Sequence, residues 1–155
     1  MNNFSTLLVA NRGEIASRVF RTAKKMGLKT VAIYTEADRH SPYVNDADLS
    51  VKIESSYLDS DAVIAAAKLT GAQAIHPGYG FLSENHAFAK KVQNEGIIWV
   101  GPNPKSIQDM GDKIEAKTHA SKAKLPILES ADDAKSAKSI GYPLMIKAAS
   151  GGGGK

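Results

Sequence analysis

The sequence predicts an α/β fold, in which an open parallel sheet carries helices on both faces. Short β-branched and aliphatic runs alternate along the chain with amphipathic helical stretches, and this alternation is typical of a parallel sheet that is covered on both sides. The chain has 155 residues, 43% of them hydrophobic, which is enough for one domain, or for one domain and the beginning of another.

Six apolar runs predict strands, and six amphipathic stretches between them predict helices. The strands are expected at residues 7–10, 30–34, 48–53, 74–76, 97–100 and 144–148. The helices are expected at residues 14–26, 61–69, 84–94, 104–110, 113–123 and 131–139.

Capping residues predict where these helices begin and end, and the apolar period predicts which face of a helix is buried. Ser60 and Ser83 are the expected N-caps of the second and third helices, and Gly27 ends the first. The expected core face of the first helix consists of Ile15, Val19, Ala23 and Met26. Its opposite face carries the basic residues Arg18, Arg21 and Lys25.

Composition excludes several classes of protein. The 20 Lys and Arg against 16 Asp and Glu give a net charge of +4, which is spread along the chain, so nucleic acid is not an expected partner. The absence of cysteine excludes disulfides and thiolate metal sites. No apolar run approaches the ~20 residues that span a bilayer, so no membrane segment is expected. A soluble intracellular protein fits this composition best.

The chain is expected to hold one domain at residues 1–111 and an incomplete second region at 112–155. One or two helices and a strand that runs into glycines cannot enclose a core of their own. We therefore expect the second region to be the start of a larger domain.

The segment from Ala10 to Ala16 joins the first strand to the first helix, as in nucleotide-binding βαβ units, where a helix N-terminus faces a ligand. It lacks the Gly-x-Gly-x-x-Gly pattern, so a dinucleotide site with Glu36 and Asp38 as its ribose clamp is not expected. The common alternative for Arg12 is that it fixes the turn by bonding neighbouring carboxylates.

The second informative segment is HPGYGFLSEN, residues 76–85, at the carboxyl end of a predicted strand. Loops at this end of an open α/β sheet form the ligand crevice. Tyr79 offers a hydroxyl and a flat apolar face, although spacing alone favours the alternative that His76 and Tyr79 are packed loop residues. No second histidine or carboxylate stands at metal-ligand spacing, so no zinc site is expected.

The third segment, MGDKIEAK at residues 110–117, begins a helix. Asp112 is its expected N-cap, and Glu115 is placed for a capping box. Lys113 then lies in the first turn, where a cation opposes the helix dipole, which suggests an anionic partner. A solvated lysine is the ordinary alternative.

The fourth segment ends the sequence, where a strand-like run leads into four glycines between two lysines. Gly151, Gly152, Gly153 and Gly154 can turn their backbone N–H groups toward phosphate, because glycine has no Cβ. Lys147 and Lys155 flank them and can neutralise phosphate charge. A flexible glycine tail is the alternative.

Together and in this order, these four segments resemble the N-terminal part of the biotin carboxylase component of biotin-dependent carboxylases, in the ATP-grasp superfamily. The resemblance covers residues 7–155 through the motifs ANRGEIA, HPGYGFLSEN, MGDKIEAK and IGYPLMIKAASGGGGK. The last motif is most similar to α subunits of acyl-CoA carboxylases. The implied fold is a Rossmann-like pre-ATP-grasp domain followed by the start of an ATP-grasp domain.

The resemblance implies a ligase that uses ATP, magnesium and bicarbonate to carboxylate biotin through carboxyphosphate. It places Lys113, Lys147 and the glycines 151–154 at the ATP phosphates, and Tyr79 and Gly80 at the biotin and bicarbonate side. Arg18 and Arg21 match positions near the dimer interface. The implied partners are a biotin carboxyl carrier domain, a carboxyltransferase subunit and a second copy of the chain, in the cytoplasm or mitochondrial matrix.

The chain also departs from the family pattern. The magnesium-binding glutamates and the catalytic arginine and carboxylate of the family lie beyond the glycine loop, so no catalytic residue is assigned here and the 155-residue chain is expected to be inactive alone. The segments at 53–57 and 128–131 are shorter than usual. Another ATP-grasp ligase, such as a carbamoyl phosphate synthetase, and a non-catalytic dimerisation module remain the alternatives.

Overall fold

The computed structural model describes residues 4–111, 113–131 and 133–146, except for the side chains of residues 113–115 and 134. The chain divides into two compact units, Met1–Ile107 and Gln108–Lys155. Each unit has its own internal contacts and is described separately.

The first unit contains a five-stranded parallel sheet. Its strands are β1 (Thr6–Val9), β2 (Lys29–Tyr34), β3 (Leu49–Lys52), β4 (Ala74–His76) and β5 (Ile98–Trp99). Their order across the sheet is β3-β2-β1-β4-β5, and every neighbouring pair is parallel. In the central strand, Leu8 pairs with Val31 of β2 and with Ile75 of β4.

Helices connect these strands or follow the last of them. They are α1 (Gly13–Lys25), α2 (Pro42–Asp46), α3 (Ser60–Leu69), α4 (His86–Asn94) and α5 (Pro104–Gly111). Two short 3₁₀ turns, Glu36–Asp38 and Phe81–Glu84, follow β2 and β4. The sequence predicted neither the 3₁₀ turns nor α2, because such short elements carry no complete apolar period.

The sheet buries apolar side chains on both faces, as predicted for a sheet between two helical layers. Alternate residues of a strand point to opposite faces. One buried cluster includes Leu8, Ile33, Ile75 and Phe88, and the other includes Val9, Ala32, Phe20 and Tyr43. Helices α3 and α4 contribute to the first cluster, and α1 and α2 contribute to the second.

Three local predictions need correction. The buried face of α1 consists of Ala16, Phe20 and Ala23, whereas Met26 is 54% exposed, because the helix ends at Lys25 and Met26 is its C-cap. The N-cap of α3 is Asp59, which accepts hydrogen bonds from the N–H groups of residues 61 and 62. The N-cap of α4 is Asn85, because residues 81–84 form a separate 3₁₀ turn.

The second unit contains α6 (Lys113–Lys122) and α7 (Ala134–Ile140), close to the predicted helices. The predicted strand at 144–148 is wrong for residues 144–146, which form no strand, and residues 147–148 lie outside the described residues. A strand needs a neighbour for its backbone groups, and the described part of this unit is helical or irregular. Ile146 is 98% exposed there. Among the helices of the described chain, none is both long and apolar enough to span a membrane.

Candidate functional site

The candidate site lies at the carboxyl ends of β1 and β4, where the strand order reverses. From β1 the chain crosses to β2 on one side, whereas β4 leads to β5 on the other side. The two connections leave a crevice between them, and open α/β sheets bind ligands at such a switch point. The loop after β1 and the HPGYGFLSEN loop after β4 meet there.

An open groove of about 360 Å³ occupies this position. We call its two sides the α1 rim, residues 11–15, and the Tyr79 rim, residues 79–81. The α1 rim includes the start of α1, where Arg12 occupies the N-cap position without capping the helix through its side chain. The positive end of the helix dipole therefore faces the groove, together with the carboxylate of Glu14 in the first turn.

Asn11 connects the two rims through hydrogen bonds. Its side chain is buried, and its Nδ2 donates to the backbone oxygens of Pro77 at 3.0 Å and Tyr79 at 2.9 Å. Its Oδ1 accepts a hydrogen bond from the backbone N–H of Arg12 at 2.9 Å. One buried amide thus fixes the chain on both sides of the groove, since leaving these polar groups unpaired would be costly.

Gly78 allows the close approach that Asn11 needs. A Cβ on this residue would lie 2.5 Å from Asn11 Nδ2, and the backbone has a φ of +69°, which residues with a Cβ rarely adopt. Glycine is therefore required here both by space and by backbone conformation.

His76 is a packed residue of the loop, one of the two alternatives that the sequence left open. Its Nδ1 accepts a hydrogen bond from the backbone N–H of Gly78 at 2.9 Å, so this nitrogen carries no proton. Burial, and secondarily the positive charge of Arg18, lower the pKa of His76 below its ordinary value. The neutral ring stabilises the turn that presents Tyr79.

Arg12 pairs with Asp38, as the common alternative for a loop arginine predicted. Its Nε donates to Asp38 Oδ2 at 2.6 Å, and its NH2 group donates to Asp38 Oδ1. Asp38 is only 5% exposed, and Glu36 forms exposed ion pairs with Lys52 and Arg39. Neither carboxylate is placed as a ribose clamp, which agrees with the missing glycine fingerprint.

Tyr57 connects Asp38 to the other rim. Its hydroxyl donates to Asp38 Oδ2 at 2.6 Å, and its ring stacks on Phe81 with centroids 5.5 Å apart. The Tyr43 hydroxyl lies 2.9 Å from that of Tyr57 and bonds to the oxygen of Ile33. Burial, followed by the hydrogen bond to Tyr57, raises the pKa of Tyr43, so the Tyr43 hydroxyl stays neutral.

Tyr79 and Arg18 lie against each other at the mouth of the groove. Arg18 NH2 donates to the Tyr79 hydroxyl at 2.9 Å, and the guanidinium carbon lies 5.4 Å from the centre of the ring. Tyr79 is 58% exposed, so it is not a packed residue, and Gly80 beside it is exposed with a φ of +64°. Arg18 and Arg21 both lie on the exposed side of α1, as predicted.

Most of the residues predicted to bind phosphate lie outside the described residues. Lys113 begins α6, but its side chain is not described. Lys147 and the glycines 151–154 lie outside the described residues, as does the predicted N-cap Asp112. In the described ranges, no group of three or more histidine, aspartate or glutamate side chains could hold a metal ion.

The family model for the N-terminal domain of biotin carboxylase matches residues 3–107, which include both rims of the groove. The chain belongs to the biotin carboxylase family. A second model, for the ATP-binding domain of the carbamoyl-phosphate synthase L chain, matches residues 105–155. The recognition made from the four motifs is confirmed.

Curated relatives of this biotin carboxylase segment are α chains of acyl-CoA carboxylases. The chain is 51% identical to the propionyl-CoA carboxylase α chain of Ruegeria pomeroyi, over 98% of this chain and 24% of the relative. It is 49% identical to the methylcrotonoyl-CoA carboxylase α subunit of Mus musculus, over 99% of this chain and 23% of that subunit. The chain therefore spans about a quarter of the length of these relatives.

Solved structures of biotin carboxylases share the fold. Pyruvate carboxylase of Rhizobium etli is similar with a TM-score of 0.93 and 42% identity, covering 99% of this chain and 15% of that one. The biotin carboxylase domain dimer of the 2-oxoglutarate carboxylase of Hydrogenobacter thermophilus, in complex with MgADP, ADP and bicarbonate, gives a TM-score of 0.92 at 41% identity. It covers 99% of this chain and 36% of the other. The predicted α/β fold class is confirmed.

Sequence reasoning missed four residues that shape the groove: Asn11, Asp38 as the partner of Arg12, Tyr57 and Phe81. Each acts through a contact between segments that are distant in the sequence. The hydrogen bond from Asn11 to Tyr79, for example, joins positions 68 residues apart. The available signal was the position of Asn11 two residues after the end of β1, since a polar residue that follows a buried strand needs a partner.

Proposed function

We propose that this chain forms the N-terminal part of an ATP-dependent biotin carboxylase, which carboxylates biotin at the expense of ATP and bicarbonate. The observation that carries this proposal is the meeting of two family motifs, ANRGEIA and HPGYGFLSEN, across one groove at the switch point of the sheet. The identity to acyl-CoA carboxylase α chains supports an acyl-CoA carboxylase as the parent enzyme.

The chemistry of the Tyr79 rim suits a ligand with acceptor oxygens. The Tyr79 hydroxyl accepts its hydrogen bond from Arg18, so its own proton can be donated to a further oxygen. Bicarbonate and the ureido carbonyl of biotin both present such an oxygen. We therefore assign Tyr79 and Gly80 to the biotin and bicarbonate side of the site, as predicted from the motif.

The ATP phosphates are assigned to Lys113, Lys147 and the glycines 151–154. Bound MgATP would supply the phosphoryl group that activates bicarbonate, and lysines with backbone N–H groups would hold and neutralise its charge. A closed glycine loop would also exclude water from a labile acyl phosphate. The magnesium ligands are expected beyond the glycine loop, in a region that begins near residue 112.

The proposed assembly includes a second copy of the chain, a biotin carboxyl carrier domain and a carboxyltransferase subunit. One structural relative is a biotin carboxylase domain dimer, which supports the pairing of two copies. Arg21 is the residue that we assign to the interface alone, whereas Arg18 also holds Tyr79. Sedimentation of an Arg21→Glu variant at lower mass than the unmodified protein would support this assignment, and an unchanged mass would reject it.

The test of this function is the ATPase activity of the full-length polypeptide that carries the sequence. We expect hydrolysis that requires bicarbonate and magnesium and that free biotin stimulates. A carbamoyl phosphate synthetase, the alternative that the second family match favours, would respond to ammonia instead of biotin. Absence of any biotin stimulation in a protein that binds ATP would reject the proposal.

A matched pair of variants locates the ATP contacts in the same assay. Lys147→Ala removes a proposed phosphate ligand and is expected to raise the KM for ATP about tenfold or more. Lys90→Ala removes an exposed lysine of α4 in the other unit and should leave that KM unchanged. Equal effects of the two variants would contradict the assignment of Lys147.

A further inference from the structure

The carboxylate of Asp38 is buried and has partners from three segments of the chain. It accepts from Arg12, from the Tyr57 hydroxyl at 2.6 Å and from the Ser41 hydroxyl at 3.3 Å. A buried carboxylate requires such partners, because an unpaired charge at this depth would be strongly destabilising. Two of these partners lead to the groove: Arg12 lines it, and Tyr57 stacks on the lining residue Phe81.

One contact reaches the α1 rim. The Arg12 side chain is 47% exposed at the groove, while its Nε and NH2 groups both bond Asp38. This two-point contact fixes the plane of the guanidinium as well as its position. The conformation of the residue that precedes α1 therefore depends on Asp38.

A second contact reaches the Tyr79 rim through an aromatic ring. Tyr57 is oriented by three hydroxyl contacts: it donates to Asp38, accepts from the N–H of Thr35 at 3.1 Å and lies against Tyr43. The ring that these contacts fix is stacked on Phe81, with an angle of 18° between the planes.

Phe81 needs this support, because its backbone is strained. It has a φ of +46°, a region that bulky residues almost never occupy, and it is 42% exposed. Strain of this kind persists only where surrounding contacts determine the conformation, and it concentrates at functional sites. The stacked ring of Tyr57 supports Phe81 in this conformation.

We propose that Asp38 is a positioning residue that sets the separation of the two rims of the groove, acting directly on Arg12 and through Tyr57 on Phe81. Its effect on turnover rests on the proposed function, because the groove is assigned to the biotin side. Its effect on the separation of the rims is independent of the proposed function.

The test uses hydrogen–deuterium exchange in the full-length polypeptide, in peptides that cover residues 11–16 and 78–83. Asp38→Asn is expected to raise exchange about tenfold in both peptides, because the amide cannot hold Arg12 through two charged contacts. Tyr57→Phe keeps the Arg12 contact and the aromatic ring, so it should raise exchange only in residues 78–83. If Asp38→Asn does not fold, exchange at residues 78–83 in Tyr57→Phe tests the proposal by itself.

Asp48→Asn is the matched control. Its carboxylate bonds Thr30 and Lys24 at the amino end of β2, the edge of the sheet opposite the groove. This variant should leave exchange in both rim peptides unchanged. Unchanged exchange at residues 78–83 in both Asp38→Asn and Tyr57→Phe, or an equal rise in the control, would overturn the proposal.

Steady-state kinetics separate positioning from general destabilisation. Asp38→Asn should raise the KM for free biotin roughly three- to tenfold and leave the KM for ATP unchanged, whereas a loss of folded enzyme would lower kcat alone. An unchanged KM for biotin would overturn the role in positioning. If the unmodified protein shows no biotin-dependent activity, the proposed function fails, and the exchange experiment still decides the role of Asp38.

Discussion

Asn11 shows how a single side chain can build a ligand groove. Its amide uses both donor hydrogens and its oxygen, so the three bonds connect β1, the start of α1 and the loop after β4. This arrangement works only because residue 78 has no Cβ at the point of closest approach. The two loops are therefore interdependent, although they lie far apart in the sequence.

Gly78→Ala should destabilise the 155-residue chain by about 3 kcal/mol, because it combines a steric overlap with Asn11 and an unfavourable backbone conformation. Gly71→Ala is the matched control, since its φ is +63° and nothing lies within 4 Å of its added Cβ. It should cost about 1 kcal/mol, from the backbone alone. Equal shifts in the urea midpoint would contradict the packing role of Gly78.

Asp38 should make stability depend on pH in acid. The bonds from Arg12 and then Tyr57 outweigh burial and lower the pKa of Asp38 from 3.8 to about 2. Because the folded-state pKa is depressed, the stabilisation is present above about pH 4 and is lost as the pH falls toward 2. It amounts to about 2 kcal/mol.

Urea unfolding of the 155-residue chain at several pH values between 2 and 5 checks this dependence. The slope of stability against pH should be shallower in Asp38→Asn than in the unmodified chain, because the variant has no carboxylate to titrate. Parallel curves for the two proteins would show that Asp38 is not selectively stabilised in its charged form.

At the scale of elements, the sequence predicted the five strands of the sheet but misplaced the N-caps of two helices. The β4 strand was predicted with its observed bounds, Ala74–His76, because buried parallel strands are short apolar runs with clear ends. Both N-caps were misplaced by one or two residues, since Ser60 lies beside Asp59 and Ser83 lies in a 3₁₀ turn that the apolar period does not reveal.

The sequence did not identify the hydrogen-bond partners of the side chains at the site. HPGYGFLSEN located the loop of the candidate site, but the bonds from Asn11 and Arg12 depend on which strands become neighbours in the sheet. The order β3-β2-β1-β4-β5 places the loops after β1 and β4 side by side. That order is a property of the folded chain as a whole.

The corrected cap of α3 leads to a prediction for the element. Asp59→Ala should cost about 1 kcal/mol, because its carboxylate accepts two backbone N–H groups, each at 3.0 Å. Ser60→Ala should be nearly neutral, since Ser60 is the first residue inside the helix. Thermal unfolding of the two variants compares them directly, and a larger loss for Ser60→Ala would restore the original assignment.

At the scale of the whole molecule, one compact unit carries the groove and a second unit begins the region assigned to ATP. The family match to biotin carboxylase covers the first unit almost completely, and the match to an ATP-binding domain covers the second. We propose that the functional boundary lies near residue 112, where the motif MGDKIEAK begins α6. The groove residues then belong to the first unit, and the residues that we propose for ATP binding follow this boundary in the sequence.

The most direct measurement is fixation of labelled bicarbonate into free biotin by a chimera. In this chimera, the 155-residue chain replaces the matching quarter of the Ruegeria pomeroyi propionyl-CoA carboxylase α chain, to which it is 51% identical. We predict that the chimera fixes bicarbonate in an ATP-dependent reaction and that Asp38→Asn raises its KM for biotin. A chimera that folds and binds ATP with the parent's affinity but fixes no bicarbonate would contradict the assignment of this chain to a biotin carboxylase site.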